Sequence, residues 1–159
     1  MRGHTRKLLR LTTAVAVAAA LGASAPQTAR AQSAEDAVKQ TLVDMWDAIE
    51  QGDVARYATY VHDDFTSFGE TDTYLNEGKD YELRSVASWI ERSMNIHTEM
   101  HQAEVTVVGD VAWITYYWTD SSISIETRER STSRGKSTRV FVREGDRWLC
   151  IHGHYTLAD

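Results

Sequence analysis

The sequence predicts an α+β domain, and three observations carry that reading. Apolar residues recur at helical spacing up to about Met94. The period then switches to two and stays there to the end. The turn signals in that second part, Gly109-Asp110 and Glu144-Gly145-Asp146, are the short kind that join antiparallel neighbours. Helices first and an antiparallel meander afterwards is the α+β order.

Taken in order, Ser33 opens a first helix and Gly52 closes it, with Val38, Leu42, Met45, Trp46 and Ile49 on one face. Gly52-Asp53 reads as a stop followed by a new N-cap, and Val54, Tyr57, Ala58 and Val61 predict a short second helix. Residues 63–68 are a brief strand candidate, and 69–78 a polar loop. Asp80 is the expected cap of a third helix whose stripe is Leu83, Val86, Ala87, Ile90 and Met94. Strands are then expected over 98–108, 111–125, 138–143 and 147–157, with 126–137 as a charged, Ser-rich hairpin tip.

Of the 159 residues, 1–31 read as a secretory signal peptide and 32–159 as one domain. Arg2, Arg6, Lys7 and Arg10 precede the apolar run 11–22, which is too short for an anchor. Ala29-Arg30-Ala31 offers a cut, and Ala23-Ser24-Ala25 offers another. The expected location is secreted or periplasmic, with no membrane contact after cleavage. The signal holds five of 17 basic residues and none of 23 acids, so the mature body carries 12 against 23, a net −11. Bulk charge therefore opposes binding to nucleic acid. The single Cys150 excludes an internal disulfide and a cysteine-based zinc site, so stability must come from the core or from contacts between copies. No metal site and no cofactor is implied, because neither a nucleotide loop nor a zinc-helix motif is present.

The segment Ser137-Thr138-Arg139-Val140-Phe141-Val142-Arg143-Glu144-Gly145-Asp146-Arg147-Trp148-Leu149-Cys150-Ile151-His152-Gly153-His154 closely resembles the last hairpin of the nuclear transport factor 2-like (SnoaL-like) superfamily. Nearest in look is the association domain of calcium/calmodulin-dependent kinase II, which reads T-R-V-W, R-D-G-K-W and I-V-H-F-H-R-S there. Gly52-Asp53 with Tyr57, Glu77-Gly78 and Gly109-Asp110 match further upstream. The resemblance implies N-terminal helices packed in the concave face of a curved antiparallel sheet, a cone with a pocket. Of three pocket arginines in that domain, one is kept as Arg139; the others correspond to Trp118 and Tyr155, and the pocket tyrosine to Tyr57. The resemblance thus implies one cation among aromatic rings.

It also implies that Arg139 and Phe141, Ile151, Gly153 and Tyr155, and Ala112, Ile114, Tyr116 and Trp118 face the cone. The candidate ligand-binding set is Tyr57, Tyr116, Trp118, Arg139, Phe141, Gly153 and Tyr155, with Gly153 leaving room where the family has Phe. Catalytic residues are not identified, because spacing alone places no acid in the pocket. Arg139 pairs with an acid such as Glu50 or Asp47 of the first helix, meets a ligand, or is exposed. His152 and His154 are expected on the convex face with Trp148 and Cys150, and Trp113 and Tyr117 there suit contact between copies. The expected function is binding of a small, mostly apolar molecule with one polar or anionic group, with isomerase, dehydratase or hydrolase chemistry as a sub-case. The alternative is a homo-oligomeric assembly module with a vestigial pocket. A homodimer or higher homo-oligomer is expected under both.

Overall fold

The computed structural model describes residues 33–158, so the expected signal peptide, 1–31, lies outside the described residues. Helix α1 (Ala34–Glu50) starts where the side chain of Ser33 accepts the Asp36 N–H at 3.1 Å. Its face of Val38, Leu42, Met45, Trp46 and Ile49 is buried, as the spacing predicts. Helix α2 (Val54–Ala58) is capped by Asp53, whose Oδ1 accepts the Arg56 N–H at 2.8 Å. Val61, expected in that helix, opens strand β1 (Val61–Phe68) instead. The polar loop contains a two-residue strand β2 (Asn76–Glu77). Helix α3 (Lys79–Arg92) begins at Gly78, not at Asp80. Gly78 turns the chain at φ 88, a conformation side chains disfavour, and Asp80 sits one step inside the first turn.

The chain passes from α3 straight into β3 (Ser93–Val108), which takes Met94 from the expected helix stripe. Strands β4 (Val111–Ser124), β5 (Arg130–Glu144) and β6 (Arg147–Leu157) follow as expected, with one correction. The hairpin tip is only residues 125–129, and β5 starts eight residues before the expected Thr138. Its early half is polar on both faces, so no apolar alternation announces it.

The sheet order is β2-β1-β6-β5-β4-β3, antiparallel throughout except that β1 runs parallel to β6. Two irregularities in β3, at the left-handed residues Asn95 and Gln102, interrupt its pairing with β4 and bend the strand. On β4 the burial alternates without fault: Ala112, Ile114, Tyr116 and Trp118 are buried, while Val111, Trp113, Thr115 and Tyr117 are exposed. The buried set packs on α1, where Trp46 meets Tyr116 edge to face at 5.5 Å.

A third irregularity corrects the expected facing of β6. Phe141 pairs with Cys150 but its neighbour Val140 pairs with His152, so Ile151 is an extra residue. Beyond it Gly153 and Tyr155 share the face of Arg139, as expected. Before it the parity flips: Cys150 is fully buried beside Arg139 and Trp148 belongs to the core, so neither lies on the convex face. Among the described residues no helix is long and apolar enough to cross a membrane.

Candidate functional site

A cavity of ≈ 460 Å³ lies between the helices and the inner face of the sheet. The pairing of β4 with β5 grades that face in rows. Ala112 opposite Phe141 and Ile114 opposite Arg139 form the closed end. Tyr116 opposite Ser137 and Trp118 opposite Gly135 form the waist, and Asp120 opposite Ser133 and Ser122 opposite Ser131 form the open end. The cavity thus runs from an apolar floor to a hydroxyl-rich rim.

Arg139 is the dominant charge at the closed end. It is buried, yet among the described residues it makes no ion pair. Its Nε donates to Tyr116 Oη at 3.4 Å, its Nη1 lies 3.7 Å from Cys150 Sγ, and its Cζ sits 4.8 Å from the centre of the Tyr155 ring. Burial pushes the phenols of Tyr116 and Tyr155 and the thiol of Cys150 upward, so each contact is with a neutral group. The pairing with a first-helix acid does not occur. Asp47 is bound to Arg56, and Glu50 accepts the Thr98 N–H at 2.8 Å and contacts His97. Those acids sit in the last turn of α1, committed to Arg56, Thr98 and His97.

Beside the guanidinium stands a buried acid and phenol pair. Tyr57 Oη donates to Glu82 Oε1 at 2.5 Å, both side chains being buried. Burial first, and then the Glu82 carboxylate, push the Tyr57 phenol well above its ordinary value, so it holds its proton. Helix α2 delivers Tyr57 and α3 delivers Glu82, four residues before the buried Val86.

A second acid, Asp120, lines the cavity nearer the rim. Burial raises its pKa, opposed by a hydrogen bond from Thr98 and by Arg139. Among the described residues its Oδ1 has no hydrogen-bond partner, and neither does Trp118 Nε1 on the same face. Glu70 on the adjoining loop is raised by burial and by Asp120. The spacing argument reached neither Glu82 nor Asp120. One more step of the alternation 112, 114, 116, 118 arrives at Asp120. Glu82 is distinguished only by its four-residue offset from Val86.

Five of the seven candidate residues line the cavity: Tyr57, Tyr116, Trp118, Arg139 and Tyr155. Phe141 does not; it is fully buried in the core beneath the floor. Gly153 does not either, because a Cβ there would stand 2.5 Å from Tyr155 Oη. The room it leaves is filled by Tyr155 of the same strand. His152 Nδ1 lies 2.8 Å from Thr66 Oγ1, and Phe68 meets the rings of His152 and His154 edge on. Both histidines therefore lie away from the cavity. Among the described residues no group of three His, Cys, Asp or Glu is placed to hold a metal.

A profile of the SnoaL-like domain matches residues 38–159. The chain belongs to the SnoaL-like family. Among solved structures it resembles a provisionally assigned dehydratase of the NTF2-like family from Streptomyces avermitilis, at 18% identity over 79% of this chain and 96% of that one, with a TM-score of 0.71. It resembles the S. rosetta CaMKII hub at 22% identity over 79% and 98%, TM-score 0.68. The Chlamydomonas reinhardtii CaMKII hub homology domain follows at 23% identity over 80% and 100%, TM-score 0.67. At such identities the likeness establishes the NTF2-like fold of this SnoaL-like domain and leaves its chemistry to the residues of the cavity.

Proposed function

We propose that this SnoaL-like domain binds a small, mostly apolar molecule in the cone and holds an anionic or strongly polar oxygen of that molecule against Arg139. The observation that carries the reading is the buried guanidinium that, among the described residues, has no carboxylate partner. A buried cation is stable only when its donors and charge are matched, and here the open side of the match faces the cavity. Tyr116 and Tyr155 shape the approach, and Trp46 and Trp118 supply apolar contact area.

The Tyr57–Glu82 pair supports the acid/base sub-case. A phenol that keeps its proton, bonded to a buried carboxylate, is the donor and acceptor set that isomerisation or dehydration requires. The dehydratase-like neighbour agrees with this direction. The N-terminal charge and apolar pattern supports export to the periplasm or the medium, with Gln32 as the expected mature start. Exposed Trp113 and Tyr117 on the outer face support a homodimer formed through the sheet.

The deciding experiment is native mass spectrometry of the protein recovered after secretion from cells expressing the full chain, with Arg139→Ala in parallel. A dimer carrying a small co-purified mass that the variant loses is the expected result. A bare multi-subunit ring, unchanged by the substitution, would overturn the binding reading in favour of an assembly module, the reading that the hub neighbours favour.

A further inference from the structure

We infer that Gly153 and Tyr155 are positioning residues for the anion site. Tyr155, seated over the bare Cα of Gly153, covers one face of the Arg139 guanidinium and turns its edge to the cavity, where it takes a carboxylate in its own plane. The inference rests on the binding function proposed above and adds how the anion is held and which residues aim the charge.

Gly153 stands opposite Arg139 in the pairing of β5 with β6. Among the described residues the glycines at positive φ are Gly52, Gly78, Gly109 and Gly145, so the backbone at 153 does not call for glycine. Space is what requires it. A Cβ there would meet Tyr155 Oη at 2.5 Å, Cζ at 3.0 Å and Cε2 at 3.3 Å. Tyr155 belongs to the next row, opposite Ser137, so its side chain runs back along β6 to lay its phenol end over Gly153. In that pose its ring centre is 4.8 Å from Arg139 Cζ.

The other contacts of the guanidinium leave its orientation to the ring. The bond from Nε to Tyr116 Oη, at 3.4 Å, is longer than an ordinary N–H···O bond, and Nη1 meets only the weakly accepting Cys150 Sγ at 3.7 Å. These use two of the five N–H groups of an arginine, one on Nε and one on Nη1. Both N–H groups of Nη2 and the second of Nη1 remain. The buried side-chain nitrogens and oxygens without a partner among the described residues are Arg56 Nε, Trp118 Nε1 and Asp120 Oδ1. Nη2 is not one of them, so it keeps accessible surface on the cavity that Arg139 lines. With one face covered by Tyr155, an anion meets the edge, where Nη1 and Nη2 form a fork that fits the two oxygens of a carboxylate.

Gly153 is also the place where this arrangement is testable. Gly135 seats Trp118 in the same manner, but a Cβ there would also stand 2.3 Å from the Thr156 carbonyl, so its substitution would disturb backbone. At Gly153 the three nearest atoms all belong to one side chain, and alanine suits a strand better than glycine does.

The test is isothermal titration of the protein, expressed as the full chain, with benzoate and hexanoate, beside the proton resonance of Arg139 Nε–H in the unliganded protein. The parent should bind at least one acid with a Kd below about 1 mM, and Arg139→Gln should lose it. Gly153→Ala should weaken that acid about fivefold or more, and Tyr155→Leu likewise. Tyr155→Phe, which keeps the ring and deletes only the Oη over Gly153, should stay within about threefold of the parent. Gly153→Ala with Tyr155→Phe should recover to within about threefold of Tyr155→Phe alone, because the closest clash is gone. The Arg139 Nε–H resonance, shielded by the Tyr155 ring, should move downfield in Gly153→Ala and Tyr155→Leu and return in the double variant. A Gly153→Ala protein with parental affinity and resonance would overturn the positioning role and leave the binding function standing. A double variant as weak as Gly153→Ala alone would overturn the seat. Failure of both acids to bind the parent below about 1 mM would overturn the anion site itself, and the positioning role with it.

Discussion

Arg139 carries a permanent charge to the floor of the cone, where every group it touches is neutral. Replacing a buried charge that no carboxylate contacts by an apolar chain of similar length removes a desolvation penalty, and only the longer-range attraction to Asp120 is lost with it. Arg139→Met is therefore expected to leave the unliganded protein as stable as the parent or more so in denaturant melts, and to erase stabilisation by carboxylate ligands. A loss above about 3 kcal/mol would instead mark a structural ion pair. Asp120 gives a pH signature of its own. Its folded pKa lies above the unfolded value, so the folded state binds the extra proton, and stability is highest below the ordinary carboxylate range and falls as pH rises through the folded pKa. Asp120→Asn should thus be more stable than the parent at pH 7, and the difference should shrink towards about pH 4. Melts at several pH values check this, and a difference that grows on acidification would reverse the argument. Tyr57, Trp118, Arg139 and Tyr155 were legible because a family resemblance marks their positions. Glu82 and Asp120 were not, since an acid in a cavity and an acid on a surface have the same spelling.

At the level of elements, local signals worked where hydrogen bonding is local. Ser33 and Asp53 cap α1 and α2 as read from their positions after polar stops. The five residues of α2 hold both Tyr57 and Arg56, the latter bound to Asp47 of α1, so the cap of a short helix positions a cavity residue. Asp53→Ala should lower stability by about 1 kcal/mol in a denaturant melt. It should also weaken ligand binding, because the Tyr57–Glu82 bond depends on that turn; an unchanged melt would show that packing alone holds α2. Where partners are distant, the local signals failed. Asp80 is as good a cap residue as Asp53, but the chain enters α3 from β2 through Gly78, which sets the start two residues earlier. The bulge at Ile151 has no spelling either: a strict period of two assigns Cys150 and Trp148 to the outer face, and one extra residue returns them to the core.

For the molecule as a whole, the outer face of the sheet carries exposed apolar and aromatic side chains. Val111, Trp113 and Tyr117 stand exposed in a row on β4, a density of apolar and aromatic surface that suits burial against a second copy. The proposed homodimer predicts that Trp113→Asp with Tyr117→Asp shifts the protein from dimer to monomer in sedimentation velocity, with the cavity still able to bind. A parent already monomeric at micromolar concentration would remove the dimer. With the proposed signal removed, the chain would carry a net −11 in place of −6, which sets a carboxylate ligand against the overall field, so on-rates for acids should rise with ionic strength.

The class of fold, the order of its elements, the buried face of α1, the alternation of β4 and the single cation of the cone were all readable from the chain alone. Each depends on periodicity, on caps within a few residues, or on a motif long enough to be distinctive. The tertiary structure decided the parallel pairing of β1 with β6, the parity of β6, the extension of β5 and the meeting of Tyr57 with Glu82. Those features join residues from separate elements, and whether a polar side chain ends in solvent or in a cavity is set by what folds over it.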